Sequence, residues 1–270
     1  MSDAVDLSRP GDARREQIAR LGYLWWQLLL RDLKARYKQT VLGGIWSLGQ
    51  PVMELLVYAV VFGAVLRAPS DDAPYPLFAY VGVVLWTFVA GALTRSTSSI
   101  TGHAGLVSSA PFPKAAIPLA AVGAALADTM LSTILLIAAL VYYQAPLTPQ
   151  VAWLVPIGAI LLAFVTGLAL ISSALNVFYR DIHHLVGLGV RLWLFLTPVV
   201  YAASAVPDRY RAVYALNPLV GVFEAVRAVL IRGEAPDPSL LVFPAAAAAA
   251  AAVGGVLLFQ RTEPFFAETV

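Results

Sequence analysis

The stretch Gly105-Leu-Val-Ser-Ser-Ala-Pro-Phe-Pro-Lys-Ala-Ala-Ile-Pro118 lies between two long apolar runs and carries three prolines, two serines and one lysine. Proline removes a backbone donor and biases the residue before it away from helix, so regular structure is expected to fail here. Hydrocarbon cannot satisfy an irregular backbone, which places the stretch at a membrane surface. The apolar runs on either side are then read as segments that cross a bilayer.

Composition supports that reading. The chain has 270 residues, 60% hydrophobic and 13% charged, with a mean hydropathy of +0.77. Soluble domains carry about a quarter charged residues, so the class is membrane protein. A formal charge of +2 is too small to imply a nucleic-acid partner. The absence of cysteine excludes disulfides, thiolate metal sites and a thiol nucleophile. The first twenty residues are polar, with charges of both signs, and lack the apolar core of a signal peptide.

Six spans are expected, at Trp46–Leu66, Leu77–Ile100, Leu119–Tyr143, Ala152–Leu175, Leu185–Ala203 and Leu240–Phe259; each is near the ~20 residues a crossing needs. Ahead of them, Leu21, Leu24, Trp25, Leu28 and Leu29 recur at helical spacing, and Arg31, Lys34 and Lys38 project from another side. With Trp25, Trp26 and a basic second half that also holds Arg36, this helix is expected to lie among the headgroups. An ordinary soluble amphipathic helix is the alternative. Between spans five and six, Pro207–Arg232 is interrupted by Asn217-Pro218, an N-cap followed by proline at the first helical position, and Gly233 is placed to end the second piece. Two short helices dipping back into the membrane are expected there.

The chain therefore divides into a cytoplasmic tail (1–20), an amphipathic interface helix (21–45), one membrane domain (46–259) and a cytoplasmic C-terminal tail (260–270). An even number of spans puts both termini on one side. That side holds eleven Lys and Arg against five opposite, the five including Arg227, which points to the cytoplasm. Arg95 is expected to snorkel from the end of its span. Glu54 lies about 12 Å of helix rise beyond Trp46, and Asp128 lies inside the third span. For these two acids a polar pathway and a buried helix–helix pair both stand. The eight alanines at 245–252 fit close helix packing or a biased genome equally.

Little in the chain points to catalysis. No G-x-x-x-x-G-K-[ST] phosphate loop occurs. Adjacent His183 and His184 point about 100° apart on a helix, which suits surface histidines better than a metal site. The spacing of His103, Ser108, Ser109 and Asp128 does not support a Ser/His/Asp set, and Asp71-Asp72 reads as a turn. The aromatics Tyr58, Phe62, Trp86, Phe88, Trp193 and Phe195 lie within spans. They suit lipid-facing packing, or a stacking surface for the C–H faces of sugars.

Several segments together resemble the membrane subunit of ABC-2 type polysaccharide exporters, the family of O-antigen and teichoic-acid permeases. They are Arg31-Asp-Leu-Lys-Ala-Arg-Tyr-Lys-Gln-Thr-Val-Leu-Gly-Gly-Ile-Trp46, Gln50-Pro51, Pro74-Tyr-Pro-Leu-Phe78 and Phe112-Pro113 with Ile117-Pro-Leu119. Asn176-Val-Phe-Tyr-Arg-Asp181, Leu192-Trp-Leu-Phe-Leu-Thr-Pro-Val-Val-Tyr201, Val206-Pro207 and Ala215-Leu-Asn-Pro218 follow in order. The resemblance implies six spans, a homodimer around a conduit, and two separate ATPase subunits that hold the ATP and Mg, with no cofactor in this chain. It implies export of a lipid-linked glycan from a bacterial inner membrane.

It also implies roles. Gly105, Leu106, Val107, Ser108, Ser109, Pro111, Phe112 and Lys114 would dock on the ATPase, and Trp25, Arg31, Lys34, Arg36 and Lys38 would form the interface helix. Asn217, Pro218, Glu224 and Arg227 would belong to gate helices. Within the resembling pattern Gly105 stands where asparagine is expected, and Ser109-Ala110-Pro111 replaces a more basic, aromatic run. The expected protein is a permease without catalytic residues, with a drug or small-lipid exporter, a membrane glycosyltransferase and a structural scaffold as rivals.

Overall fold

The computed structural model describes residues 22–31, 34, 49, 52–53, 56–65, 70, 73–109 and 112–270, with backbone alone at Ala59 and Ser109. The readings of the tail 1–20, Leu21, Arg36, Lys38, Glu54, Asp71, Asp72, Pro111 and most of 46–55 lie outside those residues.

The described regular structure is all helical. Helix α1 covers 22–31 and α2 Leu56–Val65, with π-helical winding from Ala59. They are followed by α3 Tyr75–Thr97, α4 Ser99–Gly102, α5 Ala104–Ser109, α6 Ala116–Tyr142, α7 Leu154–Phe178 and α8 Ile182–Leu196. The chain ends with α9 Asp208–Tyr214, α10 Pro218–Arg227, α11 Ser239–Thr262 and α12 Phe266–Thr269. Among the described residues, four apolar helical segments are long enough to cross a bilayer: Tyr75–Thr97, Ala116–Tyr142, Pro149–Phe178 and Ser239–Thr269. Counting the bent pair of α9 with α10 and its π-helical end at Arg232 as one span gives five. The protein is thus an all-α, multi-span membrane protein.

The four long segments overlay expected spans two, three, four and six. In the fifth, Leu185–Ala203, helix stops at Leu196, because Thr197 precedes Pro198 and takes the extended conformation proline favours (φ −115°, ψ 142°). The fifteen residues of α8 rise about 22 Å, short of the ~30 Å hydrocarbon layer. Of the first expected span, α2 with positions 49 and 52–53 is the described part.

Span α3 is the centre of the bundle. Inside the protein lies 72% of its most apolar window, against 22% for the last helix. Its residues Val81, Val83, Val89 and Ala92 join Val122 and Ala125 of α6, Ile157 and Val165 of α7, and Leu219 and Phe223 of α10 in the main core. The packing of α11 on α7 is backbone against backbone. A Cβ on Gly167 would stand 2.3 Å from the carbonyl carbon and oxygen of Ala251. Ala248 and Ala251 of the alanine run therefore serve close helix packing, whereas Ala245, Ala246, Ala249 and Ala250 are exposed.

Two local readings change. The chain does leave regular structure at Pro113, but Ala104–Ser109 is a helical turn and a half, and Pro118 sits in the first turn of α6, where its missing N–H costs nothing. Arg227 belongs to no loop, since it is 1% exposed within the main body of the protein. Its charge comes off the outer count, leaving eleven against four.

Candidate functional site

The proline-marked stretch and α1 form one packed surface. Val107 of α5 is 2% exposed and packs in a second apolar cluster with Leu28 and Leu29 of α1, Ile117 and Ala120 of α6, Val177 of α7 and Phe266 of α12. Leu106 and Phe112 lie against the same cluster, whereas Gly105 and Ser108 face outward. A six-residue helix has too few hydrogen bonds to hold itself, so burial of Val107 is what winds α5. On α1, Trp25 donates its indole N–H to the carbonyl of Leu119 at 3.0 Å. Gly123 makes room for that ring, since a Cβ there would lie 2.9 Å from it. Arg31 meets His103 at the α4–α5 junction, and Lys34 is exposed. Ser109 is helical, and Lys114 contacts Glu263.

Beside this surface a cleft of about 570 Å³ is lined by Ser98, Thr101, Asn176, Arg180, His183 and Thr269, among others. Asn176 shapes it. Its Oδ1 accepts the backbone N–H of His183 at 3.0 Å, and its amide donates to Thr101 at 3.4 Å. One side chain thereby caps α8 and ties that turn to α4. The His183 and His184 rings lie 3.7 Å apart. Sequence reasoning noted Asn176 only as part of a motif; a polar residue seven positions before a helical histidine gives no local sign of the cap.

Within the bundle, Asp128 is paired. Its carboxylate lies 2.7 Å from the Arg95 guanidinium, so Arg95 reaches across to α6 instead of snorkelling. The buried-pair reading of Asp128 prevails over the polar pathway. Breaking a buried pair costs ~3–5 kcal/mol; the Arg95 side chain is 34% exposed, and screening reduces the expectation to roughly 2 kcal/mol. Asp128→Asn should lower the melting temperature in detergent by about 5 °C. Combining it with Arg95→Gln should recover most of that loss.

The six expected conduit aromatics fall into separate groups. Trp86 is 7% and Phe88 4% exposed, two residues apart and on different sides of α3. Trp86 and Phe164 both stand edge-on to Trp193, at 6.4 and 6.1 Å. Tyr58 and Phe62 pair on α2, and Phe195 is 63% exposed. In this conformation the rings of Trp86 and Phe88 are covered by the chain's own packing.

The bent segment is fixed by two hubs. Asn217 accepts the Leu219 N–H at 3.1 Å and the Trp193 indole N–H at 3.2 Å, and donates to the Leu196 carbonyl and the Thr197 hydroxyl. It caps α10 as expected while locking α8 to it. Pro218 follows at the first helical position, and Gly233 ends the π-helical extension at φ 68°. Arg227 lies 3.3 Å from Glu224, donates to the Val199 carbonyl at 2.9 Å and covers the Phe78 ring at 3.6 Å. Gly82 leaves room for this contact, since a Cβ there would stand 2.1 Å from the Val199 oxygen.

Apolar spans around buried ion pairs, with a surface built from an amphipathic helix and a proline-marked turn, define an integral membrane protein of helical-bundle type. The family model of ABC-2 type transporters matches residues 23–231, and the chain belongs to that family. Such a chain is a membrane permease without catalytic residues, and ATP hydrolysis falls to a separate ATPase. The chain is 32% identical to the O-antigen export system permease protein RfbA of Klebsiella pneumoniae, over 92% of this chain and 96% of that one. It is 30% identical to the protein of the same name in Myxococcus xanthus, over 90% and 94%. It is 21% identical to the polysialic acid transport protein KpsM of Escherichia coli, over 87% and 92%.

Proposed function

We propose that this chain is the permease subunit of an ATP-driven exporter that moves a lipid-linked, O-antigen-like polysaccharide across a bacterial inner membrane. Two copies form the conduit, and two ATPase subunits bind from the cytoplasm. The observation that carries the reading is the single cluster joining Leu28 and Leu29 of α1 to Val107 of the proline-marked stretch. A push on either element is transmitted to both, and through Ile117 to the start of α6. O-antigen is favoured over polysialic acid because the O-antigen permeases are the nearer relatives, at 32% against 21% identity.

Six spans fit this assignment, with α2 in the first, α8 in the fifth and α9–α10 as re-entrant gate helices holding Asn217, Pro218, Glu224 and Arg227. Both termini then lie in the cytoplasm, supported by the charge excess of eleven against four. Coupling is a two-state matter: nucleotide on the ATPase must favour one arrangement of the surface over the other. The buried ring of Trp86 would reach a glycan only in the second arrangement.

The test is a chromosomal deletion in the source bacterium. Loss of surface polysaccharide, with lipid-linked chains accumulating inside, is expected, together with co-purification of an ATPase. Intact surface glycan in the deletion strain would contradict the proposal and favour a drug or small-lipid exporter. Glycan-forming turnover by the purified chain alone would favour a glycosyltransferase.

A further inference from the structure

The residues after α11 were expected to be a tail, yet they lie against the surface assigned above to the ATPase. Two contacts between Lys114 and Glu263 are reciprocal. Helix α6 starts behind Ala115, which offers no side-chain cap. The Ala116 and Ile117 N–H groups turn back to the carbonyls of Pro113 and Lys114, which leaves the Lys114 N–H as the donor to be satisfied ahead of the helix. Glu263 Oε1 accepts the Lys114 N–H at 2.6 Å and brings a carboxylate to the end of α6 where the helix dipole favours negative charge. Glu263 is at the same time the C-cap of α11. Its carbonyl accepts from Lys114 Nζ at 3.4 Å, which brings a cation to the end of α11 where the dipole favours positive charge. Each residue thus meets the other at a helix end, Glu263 just ahead of α6 and Lys114 at the end of α11.

Phe266 completes the attachment. It is fully buried, with its ring 5.3 Å from Phe259 of α11 and 6.1 Å from Phe178 at the end of α7. It belongs to the same cluster as Leu28, Leu29 and Val107. Thr269 reaches the cleft beside Arg180 and Asp181. The segment therefore touches α5, the residues before α6, the end of α7 and the turn after it.

We propose that Glu263–Phe266 is a strap that fastens the coupling stretch to the last span, with Glu263 and Lys114 as positioning residues. A displacement of the stretch is then passed to α11 and α7 as well as to α6. The inference rests on the reading of Gly105–Lys114 as the ATPase contact and adds a second route for the motion. A strap of this kind governs how much transport each ATP yields more than whether the ATPase binds.

The test uses the full-length permease with the ATPase that co-purifies with it, in the polysaccharide-producing host. Surface glycan, ATP hydrolysis by the complex and permease level in membranes are measured together. Glu263→Ala should cut export about fivefold, the low end of ordinary coupling free energies, while hydrolysis stays within about twofold. Glu263→Gln keeps an acceptor for the Lys114 N–H and should recover much of the export. Should Glu263→Ala fail to accumulate, Phe266→Leu, which trims the buried anchor of the strap and leaves Gly105–Lys114 intact, makes the same comparison. Export unchanged in Glu263→Ala and Phe266→Ala overturns the strap, and so does an equal fall in export and hydrolysis. The underlying reading fails separately: if the bound ATPase does not slow maleimide labelling of the Ser108→Cys chain, the stretch is not its contact, whatever Glu263 does.

Discussion

Gly255→Ala is expected to destabilise the protein by several kcal/mol, whereas Gly254→Ala, one residue earlier, leaves it unchanged. A Cβ on Gly255 would stand 2.5 Å from the carbonyl oxygen of Gly167 and 3.0 Å from its Cα. A Cβ on Gly254 meets nothing within 4 Å and lies on the exposed face of α11. Overpacking against movable side chains costs ~1–3 kcal/mol. Here the obstacle is the backbone of α7, so the two helices must part and the cost lies at or above the top of that range. Besides α7, helix α11 packs on α10, where a Cβ on Gly221 would stand 2.1 Å from the Leu240 oxygen, and only 22% of its apolar window lies inside the protein. In detergent, Gly255→Ala and Gly167→Ala should each lower the melting temperature by about 10 °C. Equal melting temperatures for the Gly254 and Gly255 variants would show that the α7–α11 contact is not the close one described.

Replacing Arg227 should be comparably severe. The side chain is 1% exposed and serves the Val199 carbonyl, the Glu224 carboxylate and the Phe78 ring at once. Arg227→Met leaves Glu224, whose side chain is 16% exposed, as a nearly buried charge without this partner, and such losses cost ~3–5 kcal/mol. Lysine cannot replace it, because an ammonium lacks the planar fork that meets an oxygen on one edge while its face lies on a ring. Arg227→Met with Glu224→Gln removes both charges and should recover more than half of the loss. The coupling energy from that cycle, measured by thermal unfolding, should be about 2 kcal/mol. Simple additivity of the two substitutions would mean that Glu224 and Arg227 do not act as a pair.

Much of this architecture is legible in the residues, for reasons that separate cleanly. Spans two, three, four and six are long runs of apolar residues, and a bilayer sets their minimum length, so composition alone finds them. Asn217-Pro218 and Gly233 mark the ends of the α10 segment because capping chemistry is local. What escaped is non-local. Arg95 and Asp128 are 33 positions apart in number, and no hydropathy pattern says that their faces meet across α3 and α6. Arg227 reads from the sequence as one more basic residue of the outer side, inside the gate helices, because only the fold reveals Val199 and Phe78 around it. The helical turn Ala104–Ser109 contradicts the local breaking signals since it is held by burial of Val107, a tertiary effect. The strap had one visible sign, the pair Phe265-Phe266 in an otherwise polar end, whose second ring is the one that buries.

The family assignment and the placement of α1 beside the proline-marked stretch support the central proposal, that this surface faces the cytoplasm and receives the ATPase. Ser108 is exposed at its centre, so the decisive measurement is labelling of the Ser108→Cys chain with a membrane-impermeant maleimide. The account predicts rapid labelling in inside-out vesicles, none in right-side-out vesicles, and slowed labelling when the ATPase is bound. Labelling from the outer face, or a rate that the bound ATPase leaves unchanged, would contradict it.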